Sequence, residues 1–256
     1  MNKITTLFEK KKKNILSLFF TAGYPERNST DKILKAIEIS DADMVEIGIP
    51  FSDPVADGKV IQNSSNISLK NGMKLELLFN QLEGIGNNLT KPRLLMGYFN
   101  PVMQYGIEKF CERCSKCGID GLIIPDLPLG EYKKYKNVFR QHNLLFIMLV
   151  TPGSTEERLS AIAEEASGFI YAVSSYSITG STIRTIISED YIRNVEKICG
   201  LPVLIGFGVR DNRSFKEACL ISSGAIIGSA FIEALTDSTN IRKTVLDFVS
   251  SIRTPI

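Results

Sequence analysis

The chain has a single histidine, His142, placed just ahead of a strand-like run. In a strand–helix repeat, that is the N-terminal, structural end of the sheet, and His142 reads as an ordinary surface residue. One histidine leaves no histidine set for a metal-dependent aldolase or hydrolase. No apolar run approaches the roughly 18 residues needed to cross a bilayer. The stretch "KKKKNILSLFFTAG" sets lysines before apolar residues, but no small-residue cleavage pattern ends it, and it reads as a strand entering a turn. Neither charge is in excess: 30 basic and 28 acidic residues leave a formal +2. That balance argues against a nucleic-acid or membrane-surface protein.

Cysteine is scarce as well. Five is an odd number, which argues against a full disulfide framework and fits a reducing cytoplasm. Cys111, Cys114 and Cys117 form C-x-x-C-x-x-C in "YGIEKFCERCSKCGID", a helix ending at Gly118. The spacing resembles a metal or cluster motif, but no fourth ligand lies nearby. Core or half-buried helix cysteines are the better reading.

What the chain does have is alternation. Strand patterns fall at Leu16–Thr21, Met44–Gly48, Arg93–Tyr98, Gly121–Pro125, Leu145–Thr151, Phe169–Ser174, Pro202–Gly206 and Gly224–Ile227. Amphipathic stretches lie between them, among them Thr30–Ile39, Leu75–Leu82, Ile107–Lys116, Thr155–Glu165, Tyr191–Ile198 and Asn212–Cys219. The strands are continuous apolar runs, as expected when both faces are covered. Eight such units in 256 residues predict an α/β fold: one closed (β/α)8 barrel over residues 1–256, with an N-terminal helical extension. An open dinucleotide-binding sheet needs a glycine fingerprint in its first turn, and "TAGYPE" has one glycine.

Candidate chemistry sits at the ends of these strands. "LIGFGVRD" and "AIIGSAFIE" end strands seven and eight, the common phosphate-binding place in such barrels, with Gly208, Gly228 and Ser229 as backbone donors. A Schiff-base aldolase needs a strand lysine, and no strand pattern contains one. Carboxylate acid–base chemistry remains. Glu46 interrupts the apolar strand that opens "VEIGIPFSDPVADG", residues 45–58. A buried carboxyl is costly unless paired, protonated or aimed into a polar cavity, and the barrel mouth offers that cavity. There its pKa rises into a range suited to a proton shuttle. Asp57, on the following loop, can reach the same cavity. A structural ion pair for Glu46, and turn or capping roles for Asp53 and Asp57, stay open at this point.

The motif "VEIGIPFSDPVADG" resembles the signature of the tryptophan synthase alpha subunit family. "LFFTAGYP", "LLMGYFNP", "PDLPLGE", "SITG", "GFG" and "GSA" resemble further segments of that family in the same order, from about residue 18 to 230. The resemblance implies a TIM barrel that cleaves indole-3-glycerol phosphate to indole and glyceraldehyde 3-phosphate with neither metal nor organic cofactor. It implies that Glu46 is the general acid–base and that Asp57 accepts a hydrogen bond from the indole N–H. It implies phosphate binding by Gly180, Gly208, Gly228 and Ser229. Phe19, Ile61, Tyr98, Tyr171, Thr179 and Phe207 are implied to line the pocket, with Thr179 meeting Asp57 on loop closure and Arg184 on the same loop. It further implies docking, through Pro50, Asp53, Asn100 and Pro128, on a beta subunit that carries pyridoxal phosphate, in an alpha2-beta2 heterotetramer. One departure stands out: Ser177 occupies a position that is glycine in many relatives, where loop closure or coupling to the partner would differ. A mainly non-catalytic subunit that activates its beta partner is the alternative function.

Overall fold

The computed structural model describes residues 1–86, 89–173 and 187–254. Its strands are β1 (Ile15–Thr21), β2 (Met44–Gly48), β3 (Arg93–Met96), β4 (Gly121–Ile123), β5 (Leu145–Phe146), β6 (Met148–Val150), β7 (Ile170–Val173), β8 (Val203–Gly206) and β9 (Gly224–Ile227). Every pairing is parallel, in the order β5-β4-β3-β2-β1-β9-β8-β7-β6. The two ends of that order, β5 and β6, are separated in the chain by Ile147 alone. They are one barrel position: Leu145 and Phe146 pair with β4, and Met148–Val150 pair with β7. Nine segments therefore make an eight-position closed barrel, and the expected strand Leu145–Thr151 is broken because it changes partner midway.

Several expected strands end early for local reasons. Arg93–Tyr98 stops at Met96 because Tyr98 becomes the N-cap of the next helix. Pro202 lacks the N–H of a ladder donor, and β8 starts at Val203. Ser174 lies outside the described residues. Helices α2 (Ser29–Glu38), α3 (Lys59–Lys70), α4 (Leu75–Ile85), α5 (Phe99–Tyr105), α6 (Ile107–Lys116), α7 (Leu129–Gln141), α8 (Glu156–Ala163), α9 (Glu189–Cys199), α10 (Asn212–Ile221), α11 (Ser229–Thr236) and α12 (Ile241–Arg253) follow the strands in turn. Cys111 and Cys114 sit on the buried face of α6 and Cys117 at its C-cap. All three are free, and burial pushes their thiols up, Cys111 to about 12 and Cys117 to about 11. They are packed, protonated core residues. Among the described residues no group of three or more His, Cys, Asp or Glu is arranged to hold a metal ion. His142 is the half-buried C-cap of α7, three residues before β5, at the structural end of the barrel.

The N-terminal extension is α1 (Lys3–Lys10), and it closes that same end. Asn2 caps α1 by accepting from the Ile4 N–H, and its amide donates to the carbonyls of Asp120 and Asn143 at 2.7 and 2.8 Å. Ile4 is fully buried, so close to β4 that a Cβ on Gly121 would lie 2.9 Å from it. Phe8 meets Phe169 with ring centroids 5.8 Å apart. Asp43 ties the corner together by accepting from the Leu16 N–H, Lys11 and Arg253. The helix is a plug that keeps water from entering the barrel from below. Phe8→Ala should therefore cost about 3 kcal/mol or more of stability, measured by urea unfolding; a loss below about 1 kcal/mol would mean that α1 is not part of the cooperative core.

Candidate active site

Among the described residues, the nine strands carry two charged side chains, Glu46 and Arg93. Arg93 pairs with Val45, and Glu46 with Phe19 and Leu94. Side chains alternate along a strand, so the two charges face opposite sides of the wall. Gly121 pairs with Leu94, and its missing side chain makes room for the Ile4 plug, which marks that face as the barrel interior. Glu46 therefore points inward and Arg93 outward, toward the helix layer.

Glu46 is completely buried. Ser17 donates its hydroxyl to Oε1 at 2.9 Å, and among the described residues Oε2 has no hydrogen-bond partner. Burial is the larger influence and raises the carboxyl to about 8, against the smaller opposing pull of Ser17. At neutral pH the group is a protonated acid. The residue two places on, Gly48, also faces inward, and it opens onto a narrow cavity lined by Phe19, Asp57, Ile61, Ser65, Tyr98 and Pro125, among others. Glycine at 48 makes room for the Phe19 ring: a Cβ there would lie 2.6 Å from it and force the ring to move.

Asp57 reaches the cavity from the loop between β2 and α3. The Tyr98 hydroxyl donates to its Oδ2 at 3.2 Å and accepts from the Ala56 N–H at 2.9 Å, which pins the loop to the end of β3. Burial raises Asp57 to about 6, with the Tyr98 hydrogen bond opposing. It is thus ionised at neutral pH while Glu46 is not. Two carboxyls held on opposite sides of neutrality are the arrangement of an acid and an electrostatic partner. Tyr171 on β7 is buried, and its hydroxyl is raised far above its usual range by burial and by the charges of Glu46 and Asp57. Gly206 makes room for that ring, since a Cβ there would lie 2.2 Å from it. The Phe207 ring meets Tyr171 edge-on at 6.5 Å.

Beside this cavity is a helix start. Gly228 is the half-exposed N-cap of α11, and Ser229 is its first residue. The first N–H groups of a helix have no partner within it and carry its positive end. A Cβ at Gly228 would lie 3.3 Å from Phe19 and 3.8 Å from Ile61, so this helix end adjoins the cavity wall. Phe207 and Gly208 both take positive φ, at 71° and 78°, and turn the chain sharply after β8. Of the described residues expected to line the pocket, Phe19, Ile61 and Tyr98 line this cavity, and Tyr171 and Phe207 meet each other on and just after the neighbouring strands β7 and β8. Thr179, Gly180, Ser177 and Arg184 lie outside the described residues. Of the four expected docking residues, Asp53, Asn100 and Pro128 are exposed and Pro50 is buried. Sequence reading missed Ser17, which looks like one small residue in an apolar strand, and Ser65, which looks like one of several helix serines.

Fold and site together define a (β/α)8-barrel enzyme with its chemistry at the carboxyl ends of the strands. The family model described as tryptophan synthase alpha chain matches residues 5–253. Tryptophan synthase alpha chains from Parabacteroides distasonis and Christiangramia forsetii are 49% and 46% identical. The first match covers 92% of this chain and 93% of the relative, the second 99% of each. The crystal structure of tryptophan synthase subunit alpha from Legionella pneumophila superposes with a TM-score of 0.89 at 30% identity, covering 99% of this chain and 97% of that one. The chain belongs to the tryptophan synthase alpha chain family. It is a lyase of tryptophan biosynthesis, cleaving indole-3-glycerol phosphate to indole and glyceraldehyde 3-phosphate. The alpha chain of this family binds no cofactor itself and pairs with a beta subunit.

The buried carboxyl has a stability consequence. In the unfolded chain Glu46 ionises near 4.5, and in the fold near 8. Between those values the unfolded state binds fewer protons than the folded one, so this contribution is full below pH 4.5 and is lost as pH rises through 8. Glu46→Gln removes the loss. The variant should gain stability over the parent as pH rises from 5 to 9, by up to about 4 kcal/mol. Urea unfolding across that range measures it, and a difference independent of pH would mean that the carboxyl is not buried and neutral.

Proposed function

We propose that Glu46 is the acid–base of the cleavage and Asp57 its electrostatic partner. The observation that carries this reading is the Glu46 carboxyl, which is fully buried, protonated at neutral pH and free at Oε2. A protonated acid in a water-poor wall can deliver its proton to the indole ring carbon at the bond to be broken. Positive charge then develops on the ring nitrogen. Asp57, ionised at the cavity edge, accepts the indole N–H hydrogen bond and stabilises that charge. The Glu46 carboxylate next removes the proton of the glycerol hydroxyl next to the breaking bond. The carbon–carbon bond breaks, its electrons return to the ring, and the hydroxyl oxygen becomes the aldehyde. Glu46 ends the cycle protonated, as it began.

Phe19, Ile61, Tyr98, Tyr171, Thr179 and Phe207 line the pocket in this reading. Backbone N–H groups at Gly180, Gly208, Gly228 and Ser229 hold the phosphate; the open N-terminus of α11 beside Phe19 supports that assignment. We read residues 1–256 as one domain working in the cytoplasm. The partner is a beta subunit carrying pyridoxal phosphate, in an alpha2-beta2 assembly, met by the surface around Pro50, Asp53, Asn100 and Pro128. Exposed apolar side chains support this surface: Val55, 87% exposed, lies between Asp53 and Asp57, and Met103, 52% exposed, is one helical turn from Asn100 on α5.

Indole release from indole-3-glycerol phosphate, with and without the beta subunit, tests the catalytic assignment. Glu46→Gln should lower turnover at least about 100-fold while a non-cleavable substrate analogue still binds; near-normal turnover would remove Glu46 from the chemistry. A folded parent complex that stimulates the beta reaction yet releases no indole would leave only the activating-subunit function. For docking, Asp53→Lys should weaken association with the beta subunit about tenfold or more in a binding titration, and unchanged affinity would take Asp53 out of the contact.

A further inference from the structure

Ser17 is a hydroxyl in a strand that is otherwise apolar from Ile15 to Phe20, and it is completely buried. A buried hydroxyl is unfavourable unless it is hydrogen-bonded, and alanine or valine would fill such a site without that requirement. The bond it makes goes to Glu46 Oε1, the group on which the chemistry depends. Among the described residues, Glu46 makes no other side-chain hydrogen bond. The register adds a direction. Phe19 pairs with Glu46, and Ser17 pairs with Met44, one inward step deeper in the barrel than Phe19. The contact to Oε1 therefore comes from below, away from the cavity that Phe19 and Gly48 line.

We infer that Ser17 is a positioning residue that clamps Glu46 Oε1 from the barrel floor and leaves Oε2 as the oxygen that exchanges the proton with substrate. This rests on Glu46 being the acid–base. The clamp fixes one of two chemically equal oxygens, so the proton is offered from a single direction rather than from a rotating carboxyl. It also sets the operating range. A hydroxyl donating to a carboxyl favours the ionised form and opposes the rise caused by burial. Among the described residues, the titratable groups facing this part of the interior are Tyr171 from β7 and Asp57 from the loop after β2. Among the described residues, neither donates to Glu46 and no cation contributes to its shift.

The test uses Ser17→Ala and Ser17→Thr in the complex with the beta subunit, read by the pH dependence of indole release and by carbon-13 NMR titration of the glutamate carboxyls. Ser17→Ala should raise the Glu46 midpoint by about one pH unit and carry the alkaline limb of kcat upward by the same amount. It should lower kcat at neutral pH roughly tenfold while KM changes less than about twofold. Ser17→Thr, which keeps the hydroxyl, should restore midpoint and limb. An unmoved Glu46 midpoint in Ser17→Ala would overturn the proposal, as would equal loss of kcat in both variants with no pH shift. The NMR titration reads the clamp whether or not Glu46 is catalytic. A shifted midpoint together with an active Glu46→Gln enzyme would therefore keep the contact and overturn its catalytic meaning, whereas an inactive Glu46→Gln with an unshifted midpoint would reject Ser17 alone.

Discussion

The structure depends on keeping one carboxyl dry. The Glu46 carboxyl stays raised only while the barrel wall excludes water from it; a channel from either end would return it to the ordinary carboxylate range. The closed ring of apolar strands supplies the walls. Below, α1 seals the floor with Ile4 and Phe8. Above, the rings of Phe19 and Tyr171 narrow the approach. Each layer is ordinary core packing, and their joint effect is a proton held where a carboxyl would usually have lost it.

Glycine makes that packing possible at two places. Gly48 and Gly206 each give their space to an aromatic ring, so the cavity can be lined with large apolar groups and still remain. The same economy joins the pocket to the start of α11, where Gly228 lies against Phe19 and Ile61. A phosphate at that helix end and an indole beside Phe19 would be one continuous ligand, consistent with a substrate carrying both.

Three carboxylates within twelve residues take three environments. Glu46 is sealed in the wall, Asp57 is held at the cavity edge by Tyr98, and Asp53 is exposed beside Val55. Depth of burial, rather than chemical type, separates the three. The division is also costly. The fold buries a carboxyl whose ionisation it opposes, a tension usual where a site is set into a core.

The sequence by itself determined the architecture and singled out Glu46 as the candidate acid. Eight apolar runs alternating with amphipathic stretches admit few topologies, because parallel strands need right-handed crossovers, and eight such units without a dinucleotide fingerprint favour a closed barrel over an open sheet. Glu46 was legible because charge is rare in a strand covered on both faces, and elimination of histidine and strand lysine left carboxylates. The family motifs were legible because their glycines and prolines answer to local backbone geometry. Tertiary structure decided the rest. That β5 and β6 are one barrel position depends on which neighbour each half pairs with, a long-range fact. That Ser17 holds Glu46 depends on register between strands 29 residues apart, and a lone serine in an apolar run carries no sign of it. That the cysteine trio is packing depends on which side of α6 meets the barrel. Short-range pattern sets what each segment becomes; contact between distant segments sets what each side chain touches, and reactivity follows from contact.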